Sequence, residues 1–267
     1  MNLSNKEIIH ITGENIDYIK FRRLLQYKEI THAYTLKHNT INYGPNLTKE
    51  EYKNNYNLLC NKLNLDVNNV IRPNQQHTSC VKVINTKEKN IQINPNILNN
   101  TDGLITNKRD IILATTNADC ILFLIYDPQN KVIANIHSGW RGTLNTIIIN
   151  TLTKMHETYN SNYQDIICCI CPSIHKCHFE VDEDVKELFY KKFKYLKNIN
   201  DIIEKKENKY YIDTILLNET LMINLGLKKE NIIDSGICSV CNSKYINSYR
   251  KDKANYKLST AVININN

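Results

Sequence analysis

Glycine, proline, methionine and tryptophan are scarce in this 267-residue chain, at 7, 5, 3 and 1 copies, and arginine occurs only 6 times. So little glycine and proline excludes a collagen-like repeat and leaves no Gly/Pro/Ser-rich linker at which the chain would divide. No solenoid period is visible either. Long apolar runs are also missing. The longest, such as Ile121 to Tyr126, fall far short of the roughly 20 residues a membrane-spanning helix needs. The residues before Gly13 include polar and charged ones throughout and lack the apolar core of a signal peptide. Nine cysteines without an export signal predict a reducing, cytoplasmic location, and an odd number cannot all pair as disulfides. They are read as core residues, metal ligands or nucleophiles.

What is present describes a folded protein: 42% hydrophobic and 23% charged residues. The net charge of +7 is too modest and scattered to demand nucleic acid. Forty asparagines against six arginines reflect the coding bias of an AT-rich genome. A helix is predicted over Lys49–Leu65 after Thr48, and strands over Val70–Ile84, interrupted at Pro73 and at Gln75-Gln76-His77. Asp102-Gly103 reads as a turn before Leu104-Ile105-Thr106. Strands are expected at Ile111–Ala114, Ile121–Tyr126, Lys131–Ile136, Ile166–Ile170 and Ala261–Ile265. Ser138-Gly139-Trp140-Arg141-Gly142 reads as a turn, with a helix opening at Thr143. Further helices are expected over Asp182–Lys194 and Asn218–Leu225, the latter stopped by Gly226. The pattern predicts one α+β domain over residues 1–267.

The two strands joined by Asp127-Pro128-Gln129-Asn130 predict a hairpin. If Tyr126 faces Lys131, Cys120 faces His137 on the same side of the sheet, with Cβ atoms about 4.5–5.5 Å apart. A thiol and an imidazole so placed suit a shared metal ion or a hydrogen-bonded pair. A buried cysteine beside an ordinary strand-end histidine is the alternative.

Asn117-Ala118-Asp119-Cys120 followed by His137-Ser138-Gly139-Trp140-Arg141-Gly142 resembles the bacterial laccase-domain family, first labelled polyphenol oxidoreductases and now regarded as zinc-dependent purine nucleoside phosphorylases. The likeness continues through Gln76-His77, Asp102–Thr106, Cys171-Pro172-Ser173-Ile174, Phe179-Glu180-Val181, Cys238 and Ser248-Tyr249-Arg250. It implies a layered α/β/β/α fold with mixed sheets. It also implies a zinc held by His77, Cys120 and His137, two nitrogens and a sulfur that leave a fourth position open. Thiolate and imidazole bind copper as well, and zinc is preferred. Eight histidines without a His-x-His pair, and only three methionines, exclude a true multicopper site.

The implied reaction is phosphorolysis of purine nucleosides (adenosine, inosine, methylthioadenosine) to base and ribose 1-phosphate, with adenosine deamination as a second activity. The partners are then nucleosides and phosphate, not a membrane or a nucleic acid. Cys120, His137 and Asp119 are the catalytic candidates, Asp119 for proton transfer, with Glu180 second to it. Arg141, Lys37 and Gln76 are the candidates for binding phosphate and substrate. Lys37 stands where the family usually has arginine, replacing its charge but not its bidentate fork. Cys171 replaces a usual glycine, and Lys257-Leu258-Ser259 a common Gly-Arg pair.

Three other readings stand beside it: a copper-dependent polyphenol oxidoreductase at the same donors, a metal-free hydrolase with Cys120 as nucleophile and His137 as base, and a nucleic-acid module built on Tyr190–Tyr195, where lysines interleave with aromatics. The latter run equally fits an amphipathic helix. Finally, Cys168, Cys169, Cys171, His175, Cys177 and His178 lie close in sequence, and Cys238-x-x-Cys241 has a metal-like spacing. A second zinc is one reading and a buried β-run the other.

Overall fold

The computed structural model describes residues 2–44, 47–85 and 98–266. In chain order the elements begin with β1 (Ile8–Ile11), β2 (Tyr18–Phe21), β3 (Ile30–Thr35), α1 (Lys49–Leu63), β4 (Val70–Ile71), β5 (Val81–Val83) and β6 (Gly103–Thr106). Then come β7 (Ile112–Asn117), β8 (Ile121–Asp127), β9 (Val132–Ser138), α2 (Trp140–Leu144), α3 (Ile147–Tyr159) and β10 (Ile167–Ile170). The chain ends through β11 (Glu180–Val181), α4 (Glu183–Phe193), α5 (Ile199–Ile202), β12 (Ile203–Lys206), β13 (Lys209–Ile212), α6 (Thr214–Leu225), β14 (Ile232–Asp234), α7 (Tyr249–Asp252) and β15 (Ser259–Ile265).

Two six-stranded sheets stack face to face. One has the order β1-β2-β3-β15-β7-β4 and the other β14-β10-β8-β9-β6-β5. Both are mixed, since β4–β7, β5–β6 and β10–β14 pair in parallel and the remaining pairs are antiparallel. Leu122, Leu124, Tyr126 and Ile133 of the second sheet meet Tyr34, Leu113, Ala261 and Ile263 of the first in the central core. Helices α3 and α6 cover the outer face of the second sheet through Ile148, Leu152, Met155 and Met222. On the outer face of the first sheet lies α1, through Tyr56, Leu59, Cys60 and Leu63. The result is the expected α/β/β/α sandwich. β8, β9 and β15 are buried on both faces, and β8 accordingly reads as a nearly continuous apolar run rather than an alternating one. A small sheet, β11-β13-β12, packs beside α4 and α6.

Local chemistry explains the element ends. Thr48 and Glu51 form a reciprocal capping box at the start of α1. Gly226, at φ +115°, ends α6. Several boundaries differ from expectation. Asp102-Gly103 is no turn: Gly103 is already in β6, and the Asp102 amide donates to the Cys80 carbonyl. The first helix after the hairpin begins at Trp140, so Arg141 is helical, and Thr146 at φ +56° separates α2 from α3. Helix α6 begins at Thr214, capped by Asp213, four residues before its expected start at Asn218. In Tyr190–Tyr195, Phe193 is buried with Phe189 while Tyr190 and Tyr195 are exposed, the pattern of an amphipathic helix and its end. Among the described residues no helix is long and apolar enough to cross a membrane.

His32, fully buried on β3, accepts the Phe21 amide at Nε2 (2.8 Å). Burial, helped by Lys20, pushes its pKa down from 6.5 to about 3. The unfolded chain therefore takes up a proton below pH 6.5 that the native state refuses, and stability is lost as pH falls towards 3. We expect the unfolding free energy to drop by about 1.4 kcal/mol per pH unit more in the wild type than in His32→Gln across that window. Urea titrations at stepped pH measure this, and parallel slopes would refute it.

Candidate metal centre and active site

The site forms where three separate segments meet at one rim of the second sheet. The connection from β4 to β5 carries His77, the turn just before β8 carries Cys120, and the end of β9 carries His137. Their ligand atoms lie within 4.8 Å of one another. Cys120 Sγ is 3.8 Å from His77 Nε2, and the two imidazole rings meet edge to face with centroids 4.9 Å apart.

The hairpin brings Cys120 and His137 together in a register two residues from the expected one. Asp127 pairs with Val132, and Leu122, not Cys120, lies directly opposite His137. The reason is the turn. Asp127 Oδ1 accepts the amides of Gln129 (2.9 Å) and Asn130 (3.2 Å), and Lys131 adopts φ +54°. The loop is therefore 128–131 rather than 127–130. A shift of two preserves facing, so Cys120 stays on the His137 side, now across from Gly139. A Cβ on Gly139 would run into Cδ2 of His77 and lie 3.2 Å from Cys120 Sγ. Only glycine fits there.

Asp102 holds the site together, and sequence reasoning placed it only within a motif. Its fully buried carboxylate accepts from His137 Nδ1 (2.8 Å) and from the amides of Gln76 (3.0 Å), His77 (2.9 Å) and Thr78 (2.9 Å). The amides hold His77 in its left-handed conformation at φ +59°. Because a carboxylate only accepts, His137 carries its hydrogen on Nδ1 and turns Nε2 towards the other donors. Burial would raise the Asp102 pKa, but His137 and the amides outweigh it and hold it low. For Cys120, burial also opposes ionisation, yet His137 and then His77 bring the thiol down to about 6. Burial lowers His137, but Cys120 and Asp102 carry it up to about 9. The pair favours thiolate beside imidazolium. A thiolate and two oriented imidazoles fit zinc or another borderline-soft cation.

The other candidate residues divide. Both Asp119 carboxylate oxygens are engaged, accepting from Ser239 Oγ (2.5 Å) and the Arg250 amide (2.6 Å). Asp119 sits at φ +82° and sets the turn before Cys120. Glu180 accepts from Tyr211 OH (2.9 Å). Arg141 is exposed, its guanidinium 4.2 Å from the Trp140 ring centroid. Lys37 pairs with Asp252 (2.7 Å), and exposed Gln76 contributes its amide to Asp102. Arg141, Lys37 and Gln76 all lie outside the lining of the cavity over the metal donors.

That cavity measures about 400 Å³ and is lined by Arg72, Gln75, Trp140, Phe179, Tyr249, Arg250 and Tyr256, among others. Gln75 is fastened to Thr116 through Oε1 and Nε2. Arg72 donates to the Tyr43 carbonyl, and Arg250 to those of His178 and Glu180. Among the described residues no carboxylate pairs with either guanidinium, so their charge is uncompensated. Neither arginine was signalled as a phosphate ligand by sequence spacing, because each reaches the cavity from a segment remote from the hairpin.

A family model described as multi-copper polyphenol oxidoreductase laccase matches residues 33–265. The chain belongs to this family. It is 30% identical over 192 residues to a purine nucleoside phosphorylase of Bacteroides thetaiotaomicron, covering 71% of each chain. It is 29% identical over 197 residues to an adenosine deaminase from an unknown prokaryotic organism, covering 72% of this chain and 74% of the other. The fold superposes on Bacillus licheniformis hypothetical protein YfiH with a TM-score of 0.85 at 22% identity, covering 96% and 98% of the two chains. YlmD from Geobacillus stearothermophilus gives the same score at 19% identity, with 97% and 100% covered.

Two substitutions test the donor geometry by metal titration of purified protein. Asp102→Asn should weaken metal binding at this centre about 10–100-fold by freeing the His137 ring and the His77 loop. Gly139→Ala should abolish it, since the new methyl occupies the space of the His77 ring. Unchanged affinity in both would refute the arrangement.

Proposed function

We propose that the chain is a metal-dependent purine nucleoside phosphorylase, with zinc held by His77, Cys120 and His137. The observation that carries this reading is the convergence of a cysteine sulfur and two imidazoles, one ring locked by a buried carboxylate, at the floor of a cavity with aromatic walls and two arginines that pair with no carboxylate among the described residues. A volume of about 400 Å³ lies in the range of small-molecule sites. The names carried by relatives in this family support the substrate class.

In the reaction, a phosphate oxygen bonds to the anomeric carbon of the ribose as the bond to the purine nitrogen breaks, through an oxocarbenium-like transition state. Arg72 and Arg250, which line the cavity, are assigned to the phosphate; Arg141 and Lys37 lie outside that lining. Tyr249 and Tyr256, which meet edge to face at 5.0 Å and remain partly exposed, offer a surface for the planar base. Zinc, when bound, supplies Lewis-acid polarisation beside the reacting atoms. Asp119 is assigned to holding the Cys120 turn, not to proton transfer, because both its oxygens are already hydrogen-bonded.

The low Cys120 pKa and raised His137 pKa favour a second reading, a metal-free Cys–His hydrolase. Incubation of metal-analysed protein with adenosine, inosine and methylthioadenosine, with and without phosphate, separates the two. We expect base and ribose 1-phosphate only when phosphate is present, with turnover abolished by chelation and restored by zinc. Deamination of adenosine in the same mixtures would mark the second activity. Phosphate-independent cleavage that survives chelation would overturn the zinc reading. Arg72→Gln should raise the KM for phosphate at least about tenfold, the worth of one charge-assisted hydrogen bond, and Arg141→Gln should leave it unchanged.

A further inference from the structure

A second group of soft ligands stands apart from the cavity floor. Cys177 and His178 lie in the connection between β10 and β11, and Cys238 and Cys241 in the connection between β14 and α7. Some 60 residues of sequence separate the two pairs, yet their donor atoms lie within 4.8 Å of one another. Cys177 Sγ is 3.6 Å from Cys238 Sγ and 3.8 Å from Cys241 Sγ. His178 Nδ1 is 3.6 Å from Cys238 Sγ, 3.5 Å from Cys241 Sγ and 3.1 Å from Cys177 Sγ. None of these cysteines is in a disulfide.

These separations are five of the six edges of a coordination tetrahedron. With Zn–S of about 2.3 Å and Zn–N of about 2.0–2.1 Å, tetrahedral angles require S–S edges of roughly 3.8 Å and S–N edges of roughly 3.5 Å. Four of the five measured distances match those values closely. The fifth, between chain neighbours Cys177 and His178, is shorter. We propose that Cys177, His178, Cys238 and Cys241 form a second metal centre, a structural zinc site of three thiolates and one imidazole. Four protein ligands leave no open position, which separates this site from the three-donor centre under the cavity. The other cysteines of the cluster take no part: Cys168, Cys169 and Cys171 are wholly buried among apolar side chains of the two main cores.

The backbone already holds the two loops in place. The Ser239 amide donates to the Ser173 carbonyl (2.8 Å), the Ser173 amide to Ile237 (3.3 Å), and the His178 amide closes a turn onto His175 (2.9 Å). The centre is also wired to the first site. Ser239, between the two cysteines of the Cys-x-x-Cys pair, donates to Asp119 Oδ1, and Arg250, whose amide holds Asp119 Oδ2, donates its Nη1 to the His178 carbonyl (3.1 Å). A metal here fastens both loops against the turn that presents Cys120, and its binding energy becomes folding energy.

This proposal stands whatever reaction the cavity performs. Protein reconstituted with excess zinc and desalted should carry two equivalents per chain by elemental analysis. Cys120→Ala should retain one, and Cys177→Ser/Cys241→Ser should also retain one. In the Cys120→Ala protein the melting temperature should still fall on chelation. For a readout that needs no variant, wild-type Cys177 and Cys241, both exposed, should resist alkylation when zinc is bound and react after chelation. Cys120→Ala devoid of zinc, a stoichiometry unchanged by Cys177→Ser/Cys241→Ser, or equal alkylation rates with and without zinc would each overturn the second centre.

Discussion

One buried carboxylate organises the site. Asp102 has no access to solvent, yet it remains ionised because it accepts three backbone amides and the His137 ring at once. A charge buried in this way is tolerable only when every lone pair is occupied, and removing one partner of such a pair costs about 3–5 kcal/mol. The two imidazoles are thus not positioned independently. The left-handed backbone at His77 and the tautomer of His137 follow from the same two oxygens. The sandwich places Asp102 at the entry to β6, beside β9, so its location rests in turn on two adjacent strands of one sheet.

The rest of the site shows the same economy, with polar groups spent on structure where chemistry was expected. Asp119 is adjacent to a metal donor and acidic, the profile of a proton carrier, but tertiary contacts from Ser239 and Arg250 saturate it. Arg141 follows a donor strand closely in sequence, but its guanidinium stacks on Trp140. The cavity-lining cations that pair with no carboxylate among the described residues are instead Arg72, beyond β4, and Arg250, in α7. Asn117 is a further brace, donating to the carbonyls of Cys120 (2.5 Å) and Pro172 (3.0 Å) and accepting from Tyr34 OH (3.0 Å).

The hairpin shows how an inference can hold while one of its premises changes. Apolar runs on both sides of Asp127–Asn130 correctly indicated two adjacent strands, and the pairing of a thiol with an imidazole on one face is present. The closing pair was misplaced because the Asp127 side chain, through bonds to Gln129 and Asn130, draws the turn one residue towards the C-terminus. The resulting shift is even, so the alternation of a strand returns each side chain to the same face. An odd shift would have separated Cys120 from His137.

Sequence alone indicated the central strands, helices α1, α3, α4 and α6 in outline, and the meeting of Cys120 with His137 on one face, because periodicity, capping and hairpin pairing act over short stretches of chain; His77 became a candidate donor only through the family resemblance. The Cys-x-x-Cys spacing at Cys238 was visible too, but its partners at Cys177 and His178 were not distinguishable from Cys168, Cys169 and Cys171. Which cysteines face the core and which gather near one point, which carboxylate is free and which arginine reaches the cavity were decided only by the packing of the two sheets. Those properties depend on contacts between residues tens to hundreds of positions apart, and nothing local in the chain encodes the distance between them.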